Sequence, residues 1–115
     1  MTGENQQCSI YKNDRNGNFG YEDEITYSFS TILIDASDID DDTDKDLVFA
    51  HSSGVIVYEN DGSLSFSATS NRFSVSNPVS LSFTDVEPDG DYDLVVEDNQ
   101  STTHIYYNDG AGNFE

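Results

Sequence analysis

The chain of 115 residues is long enough for one domain or a piece of a larger one. Its 23 acidic and 4 basic side chains leave a formal net charge of -19, which excludes nucleic acid and anionic membrane as partners, because phosphate binding needs Lys and Arg to displace counterions. Seven Phe and seven Tyr among many Ser, Thr, Val and Ile residues make this a strand composition, neither helical nor disordered.

The start, MTGENQQCS, is polar and has no apolar signal-peptide core. The chain is therefore either not secreted as written or a fragment with a boundary there, and the fragment is the expectation. No apolar run approaches the roughly 18 residues of a membrane span, so no membrane insertion is expected. Cys8 is the single cysteine, which rules out an internal disulfide and makes it structural or incidental.

From Ile10 onward the chain repeats. Ile10-Tyr11-Lys12-Asn13-Asp14, ending at Gly17-Asn18-Phe19, returns as Val57-Tyr58-Glu59-Asn60-Asp61, ending at Ser65-Phe66. It returns again as Ile105-Tyr106-Tyr107-Asn108-Asp109, ending at Gly112-Asn113-Phe114, with offsets of 47 and 48 residues. Asp38-Ile39-Asp40-Asp41-Asp42-Thr43-Asp44-Lys45-Asp46-Leu47-Val48 matches Asp85-Val86-Glu87-Pro88-Asp89-Gly90-Asp91-Tyr92-Asp93-Leu94-Val95, again 47 apart. Two features that share one period define a structural repeat.

Each period reads as strands. Ile25-Thr26-Tyr27-Ser28-Phe29 alternates, as do Val79, Leu81 and Phe83 with Ser80 and Ser82. That is the period-two pattern of a half-buried strand. Leu47-Val48-Phe49-Ala50 is continuously apolar and fits a strand covered on both faces. Asn13-Asp14 and the Asn-Asp-Gly stretches at 60–62 and 108–110 are turn chemistry. The Ser-rich run at 63–70 reads as an exposed hairpin arm, and nothing reads as a helix or a linker. A period thus holds strand A, an acidic loop, strands B and C, a turn and strand D, and four strands in a period near 45 residues is the mark of a propeller blade. The fold class is all-β, a partial β-propeller of about two and a half four-stranded blades. Residues 1–115 form one partial propeller: 8–29 supply strands C and D of a first blade, 31–77 a complete second blade, and 79–115 a third blade lacking its last strand.

Between Asp35 and Asp46 seven carboxylates fall within twelve residues, directly before the apolar strand. Like charges this close repel. Carboxylates at alternate positions, closed by one more four residues on, can instead wrap a hard cation, and calcium takes about six to eight oxygen ligands. The first loop offers Asp38, Asp40 and Asp42, closed by Asp46. The second offers Asp85, Glu87 and Asp89, closed by Asp93. Asp44 and Asp91 most naturally offer a backbone carbonyl. The expectation is one Ca2+ per loop, two in all. The alternatives are solvated acidic turns without metal, or an EF-hand or dockerin-like loop. The latter needs a Glu at its twelfth position and a flanking helix, where this chain has Phe49 and Val96 in strands.

The pattern Asp-x-Asp-x-Asp-x-x-x-Asp followed by Leu-Val resembles the FG-GAP/VCBS repeat family, the calcium-binding blades of integrin-α-type β-propellers. The trailing Tyr-x-Asn-Asp-Gly-x-Gly-x-Phe is similar to that family's third strand and turn. The likeness extends over nearly the whole chain. Gly90 sits where the pattern has its glycine, whereas Thr43 takes that place in the first loop. Glu87 replaces a shorter Asp or Asn, so its carboxylate must fold back or bind through water. The resemblance implies an adhesion-type, extracellular setting, and millimolar-scale extracellular calcium suits loosely built sites.

No catalytic set stands out. His51 and His104 occupy unlike positions in the repeat, and no Ser-His-Asp or Cys-His set is evident. Asp40-Asp41-Asp42-Thr43 lacks the βα unit a phosphotransferase aspartate needs. Of the 23 acidic residues, 11 lie in the two loops, which weakens any glycosidase pair. The recurring aromatics Tyr11, Tyr58, Tyr106, Phe19, Phe66 and Phe114 read as packing between blades, while Phe73 and Tyr107 are freer to form a binding surface.

The resulting expectation is a non-enzymatic scaffold or recognition module that is secreted or extracellular. Its partners would be calcium, a protein or glycan ligand, and the remaining blades of a parent propeller or a second copy meeting its open edges. A docking appendage of a secreted hydrolase, or an acidic halophile-type β domain without specific metal sites, are the alternatives.

Overall fold

The computed structural model describes residues 6–27 and 31–115. The polar start at 1–5 and Ser28 and Phe29 of the first alternating stretch lie outside the described residues. Among the described residues there are nine strands and no helix. They are β1 (Gln6–Asn13), β2 (Phe19–Tyr27), β3 (Thr31–Ser37), β4 (Asp46–His51), β5 (Gly54–Asn60), β6 (Phe66–Ser74), β7 (Pro78–Thr84), β8 (Asp93–Asp98) and β9 (Thr103–Tyr106). Every pairing is antiparallel between sequence neighbours, giving sheets β1-β2, β3-β4-β5-β6 and β7-β8-β9. The fold is all-β, a run of propeller-type blades with one complete four-stranded sheet flanked by a two-stranded and a three-stranded one.

The middle sheet is covered on both sides because its inner strands carry unbroken apolar runs, Leu47-Val48-Phe49-Ala50 in β4 and Val55-Ile56-Val57-Tyr58 in β5. In β4, Val48 and Ala50 face the third sheet, joined by Val55, Val57, Val75, Leu94, Val96 and Phe114. Phe49 faces the first sheet, packed with Ile25, Ile56 and Tyr58. Phe49 and Tyr58 meet edge-on at 5.1 Å, an arrangement that favours aromatic quadrupoles. The strict alternation of a strand sends odd and even residues to opposite interfaces, so one unbroken apolar run serves two cores.

The repeated aromatics pack between sheets where a neighbouring sheet exists. Tyr58 and Phe114 are buried, whereas their counterparts Tyr11 and Phe19 on the first sheet are exposed. Phe73 is not free for a binding surface: it stacks on Tyr106 at 3.9 Å and joins the core between the second and third sheets. Tyr107 does stay exposed.

Among the described residues, the side chains of Asp35, Asn71 and Asn108 make four hydrogen bonds between the second and third sheets. The Phe83 amide donates to Asp35 Oδ2 (3.3 Å). Asn71 in β6 donates to the Gly112 carbonyl (2.8 Å) and accepts from the Phe114 amide (3.3 Å). Asn108 donates to the Ile39 carbonyl (2.7 Å).

Gly54, which opens β5, lies against the β6 backbone, and a methyl group there would overlap the Phe73 carbonyl oxygen. Gly20 in β2 has open space at the same place. Gly54→Ala is therefore expected to destabilise the fold by about 2–4 kcal/mol, since backbone cannot yield as a side chain can. Gly20→Ala should change stability by less than about 1 kcal/mol. Paired thermal melts check the contrast.

Candidate metal centre

Each acidic loop links the first strand of a sheet to the second: 38–45 between β3 and β4, and 85–92 between β7 and β8. The two are built by the same hydrogen bonds. Asp38 accepts from the amides of Asp42 (3.2 Å) and Thr43 (2.9 Å). Asp85 accepts from those of Asp89 (3.2 Å) and Gly90 (2.9 Å). Asp42 Oδ1 takes the Asp44 amide at 2.9 Å, and Asp89 Oδ1 takes the Asp91 amide at 3.0 Å. The first carboxylate thus folds the loop back on itself, in the manner of short polar side chains that hold turns.

The closing carboxylates are the most buried members. Asp46 and Asp93 are fully buried at the first position of β4 and β8. Asp46 accepts from Ile39 N (3.1 Å) and from Asn60 N (2.9 Å). Asp93 accepts from Val86 N (2.9 Å) and from Asn108 N (2.9 Å). Each ties the head of its loop to the end of the third strand of its sheet. A carboxylate has about four acceptor positions, so each keeps lone pairs beyond these two bonds.

Position six of the loop needs a left-handed backbone. Gly90 holds it with φ of 93°, and Thr43 adopts φ of 74° in the first loop. A β-branched residue there is strained, by about 1–2 kcal/mol. Asp44 and Asp91 lean over the glycine of the next turn. A Cβ on Gly62 would sit 2.9 Å from Asp44 Oδ2, and one on Gly110 would sit 2.9 Å from Asp91 Oδ2. Glycine at those turns therefore makes room for a carboxylate.

Asp38, Asp40 and Asp42 each place one carboxylate oxygen within 4.8 Å of the others. Oxygens on opposite sides of one calcium ion are about 5 Å apart, so the three fit a shared cation. Among the described residues this is the one such group of three. In the second loop Glu87 is exposed, and its longer arm does not complete the same group. Asp40 Oδ1 is a buried oxygen that no hydrogen-bond donor reaches. An ionised oxygen without a donor is costly, and either a cation or a proton on the carboxyl relieves it.

Electrostatics carry the same message. Burial, then the charges of Asp46 and Asp42, push the Asp40 carboxyl up to about 6. Burial also raises Asp46, against the two amides it accepts from. Local loss of hydration and the neighbouring charges of Asp89 and Asp93 raise Glu87, and the same loss with the charges of Asp89, Asp85 and Asp41 raises Asp91. Asp41 belongs to the first loop, so the loops of adjacent sheets feel each other.

Sequence reasoning took Asn60 and Asn108 for turn residues, and they are more. Both are buried. Asn60 Oδ1 accepts from Gly62 and Leu64 amides at 3.0 and 3.1 Å while its Nδ2 donates to Lys45 O at 3.0 Å. Asn108 repeats this with Gly110 and Gly112 at 3.0 and 3.1 Å and with Tyr92 O at 3.1 Å. Their recurrence in register with the acidic loops was the signal available in the sequence. The histidines form no shared site: His104 Nε2 pairs with Asp98 Oδ2 at 3.1 Å, and His51 Nδ1 accepts from the Ser53 amide at 3.3 Å.

A family model described as an FG-GAP-like repeat matches residues 38–96, just over half of the chain. The match begins at Asp38 and takes in both acidic loops. No curated protein and no solved structure gives a significant match.

Two outcomes follow for the protein in a chelator. Asp93→Ala strips the acceptor from two amides and should cost about 2–5 kcal/mol, whereas Asp42→Ala, at an exposed position, should cost about 1 kcal/mol or less. Denaturant unfolding of both variants measures the difference. The second outcome concerns pH. A carboxyl raised from 3.8 to about 6 on folding stabilises the fold below its unfolded pKa, and that contribution is lost as pH rises through 6. The melting midpoint should therefore rise as pH falls from about 7 to about 4.5. His51, lowered by burial, opposes this below its ordinary value, and the lowered Asp14, Asp98 and Asp109 oppose it at the acid end, from about pH 5 downward. Melts across that range test the sign.

Proposed function

This chain belongs to the FG-GAP-like repeat family, and from that premise we propose that it is a calcium-stabilised segment of a β-propeller serving as a non-enzymatic scaffold or recognition module. The observation that carries the reading is Asp40 Oδ1, buried without a donor among three converging carboxylates. In this reading Asp38, Asp40 and Asp42 hold one Ca2+ through side-chain oxygens, Asp44 offers its main-chain carbonyl, and Asp46 closes the site. Asp85, Glu87, Asp89, Asp91 and Asp93 take the same parts around a second ion. The leaning of the Asp44 and Asp91 side chains toward Gly62 and Gly110 is in keeping with main-chain ligation at those residues.

The bound cation supplies positive charge that offsets the mutual repulsion of each loop. The protein's own residues do the rest. Asp46 and Asp93 fix the loop heads, and the glycine turns admit the leaning carboxylates. The loops end up on one rim of the sheets, which leaves the opposite turns for a protein or glycan ligand. An extracellular setting suits the calcium dependence, and a docking role beside a secreted hydrolase uses the same surface. The strong acidity also fits a high-salt habitat, in which screening replaces the specific ion.

Thermal melts followed by circular dichroism, in EDTA and then with calcium, magnesium or plain salt, separate these readings. Calcium should raise the midpoint, by about 2.7 kcal/mol of stability at a hundredfold excess over Kd, and magnesium should do much less. With calcium present the acid trend should reverse, because protonated carboxyls do not ligate. An equal rise with all three salts means charge screening and no calcium sites.

A further inference from the structure

In the second and third sheets an asparagine meets the acidic loop, Asn60 at the end of β5 and Asn108 just past β9, and Asn108 reaches further than its own repeat. Asn60 and Asn108 share four interactions: the main-chain amide to the closing carboxylate, Oδ1 to two turn amides, and Nδ2 to the carbonyl before that carboxylate. Asn108 makes one more. Its Nδ2 donates to the Ile39 carbonyl of the neighbouring sheet at 2.7 Å. Ile39 is buried, and it stands between Asp38 and Asp40. The Ile39 amide is held by Asp46 at 3.1 Å. Both polar groups of Ile39 are thus fixed, the N–H by its own loop and the C=O by the next sheet.

We propose that Asn108 is a positioning residue for the first acidic loop, acting across the sheet interface through the Ile39 carbonyl to hold Asp38 and Asp40 ready for a cation. The proposal rests on the calcium reading given above. The Ile39 carbonyl opens the peptide unit that leads into Asp40, so its orientation sets where that carboxylate stands. Without the Asn108 donor the carbonyl is left unpaired in a buried place, and the loop must shift to find water. Partners that orient metal ligands in this way typically change affinity by about 10–100-fold when removed. The turn that Asn108 holds lies beside the same loop: a Cβ built on Gly112, whose amide donates to Asn108 Oδ1, would stand in ordinary contact with Asp40 Cβ at 3.5 Å and Ile39 Cδ1 at 3.6 Å.

The test uses the full chain with the second loop disabled by Asp85→Asn and Asp89→Asn, so that effects through that loop's own cation are absent. Calcium is titrated by two-dimensional NMR with the Thr43 amide, which donates to Asp38, as the reporter of the first loop. Asn108→Asp is added to this background, since it keeps the acceptor for Gly110 and Gly112 and removes the donor. The Thr43 midpoint is expected to move to roughly tenfold higher calcium, against the direction in which an added negative charge alone would push it. A normal titration with an unmoved midpoint overturns the proposal alone. No calcium-specific shift at Thr43 before Asn108 is changed overturns the calcium reading, and the proposal with it. If Asn108→Asp does not fold, the side-chain Nδ2 protons of Asn108 decide the matter in the disabled-loop protein. They should shift with the same midpoint as Thr43, and signals that stay still through the titration overturn the proposal.

Discussion

The structure depends on a carboxylate placed where carboxylates are least welcome. Asp46 and Asp93 are fully buried at the mouth of an apolar strand, and each satisfies two main-chain amides. One amide belongs to the acidic loop and the other to the end of the third strand. Removing the side chain would leave two donors unpaired, while keeping it demands that the loop and strand meet at this one point. The apolar run can then start at once, because the charge before it is already paired. The middle sheet follows, with Val48 and Ala50 turned to one neighbour and Phe49 to the other.

The same device explains why the loops are so acidic. Asp38 and Asp85 turn the chain back by accepting loop amides, and the closing aspartates anchor it. These are jobs of shape. What they leave over is a set of oxygens gathered on one side with too few donors, Asp40 Oδ1 above all. A loop that folds through its carboxylates ends with its remaining lone pairs converging, so the arrangement that shapes the loop is also the one on which the proposed calcium site rests. Stability and charge are then in tension in the metal-free protein, and the raised Asp40 shows it.

Much of this was legible in the chain. The 47- and 48-residue offsets place the acidic loop and the Asn-Asp turn in register, and period-two alternation separates the half-buried strands from the doubly covered ones. Less was legible in the turns. Asn60 and Asn108 carry turn chemistry in any sequence, and only burial reveals that they also fasten a strand end to a carboxylate. Phe73, which has no counterpart in the repeat, gave no pattern to follow, and its stacking on Tyr106 arises from the meeting of two sheets. The exposure of Tyr11 beside the burial of its counterpart Tyr58 makes the same point from the other side, since identical repeats meet different neighbours.

The sequence by itself determined the strands, their grouping by repeat and the make-up of the loops, because those are set by residues close in the chain. Alternation, turn residues and alternate-position carboxylates are local rules. Only the tertiary structure decided which carboxylates are held by amides, which oxygen lacks a donor, and that Asn108 of one sheet reaches Ile39 of another. Those depend on how sheets lie face to face, and a distance of 2.7 Å between residues 69 apart in the chain is written in no local pattern.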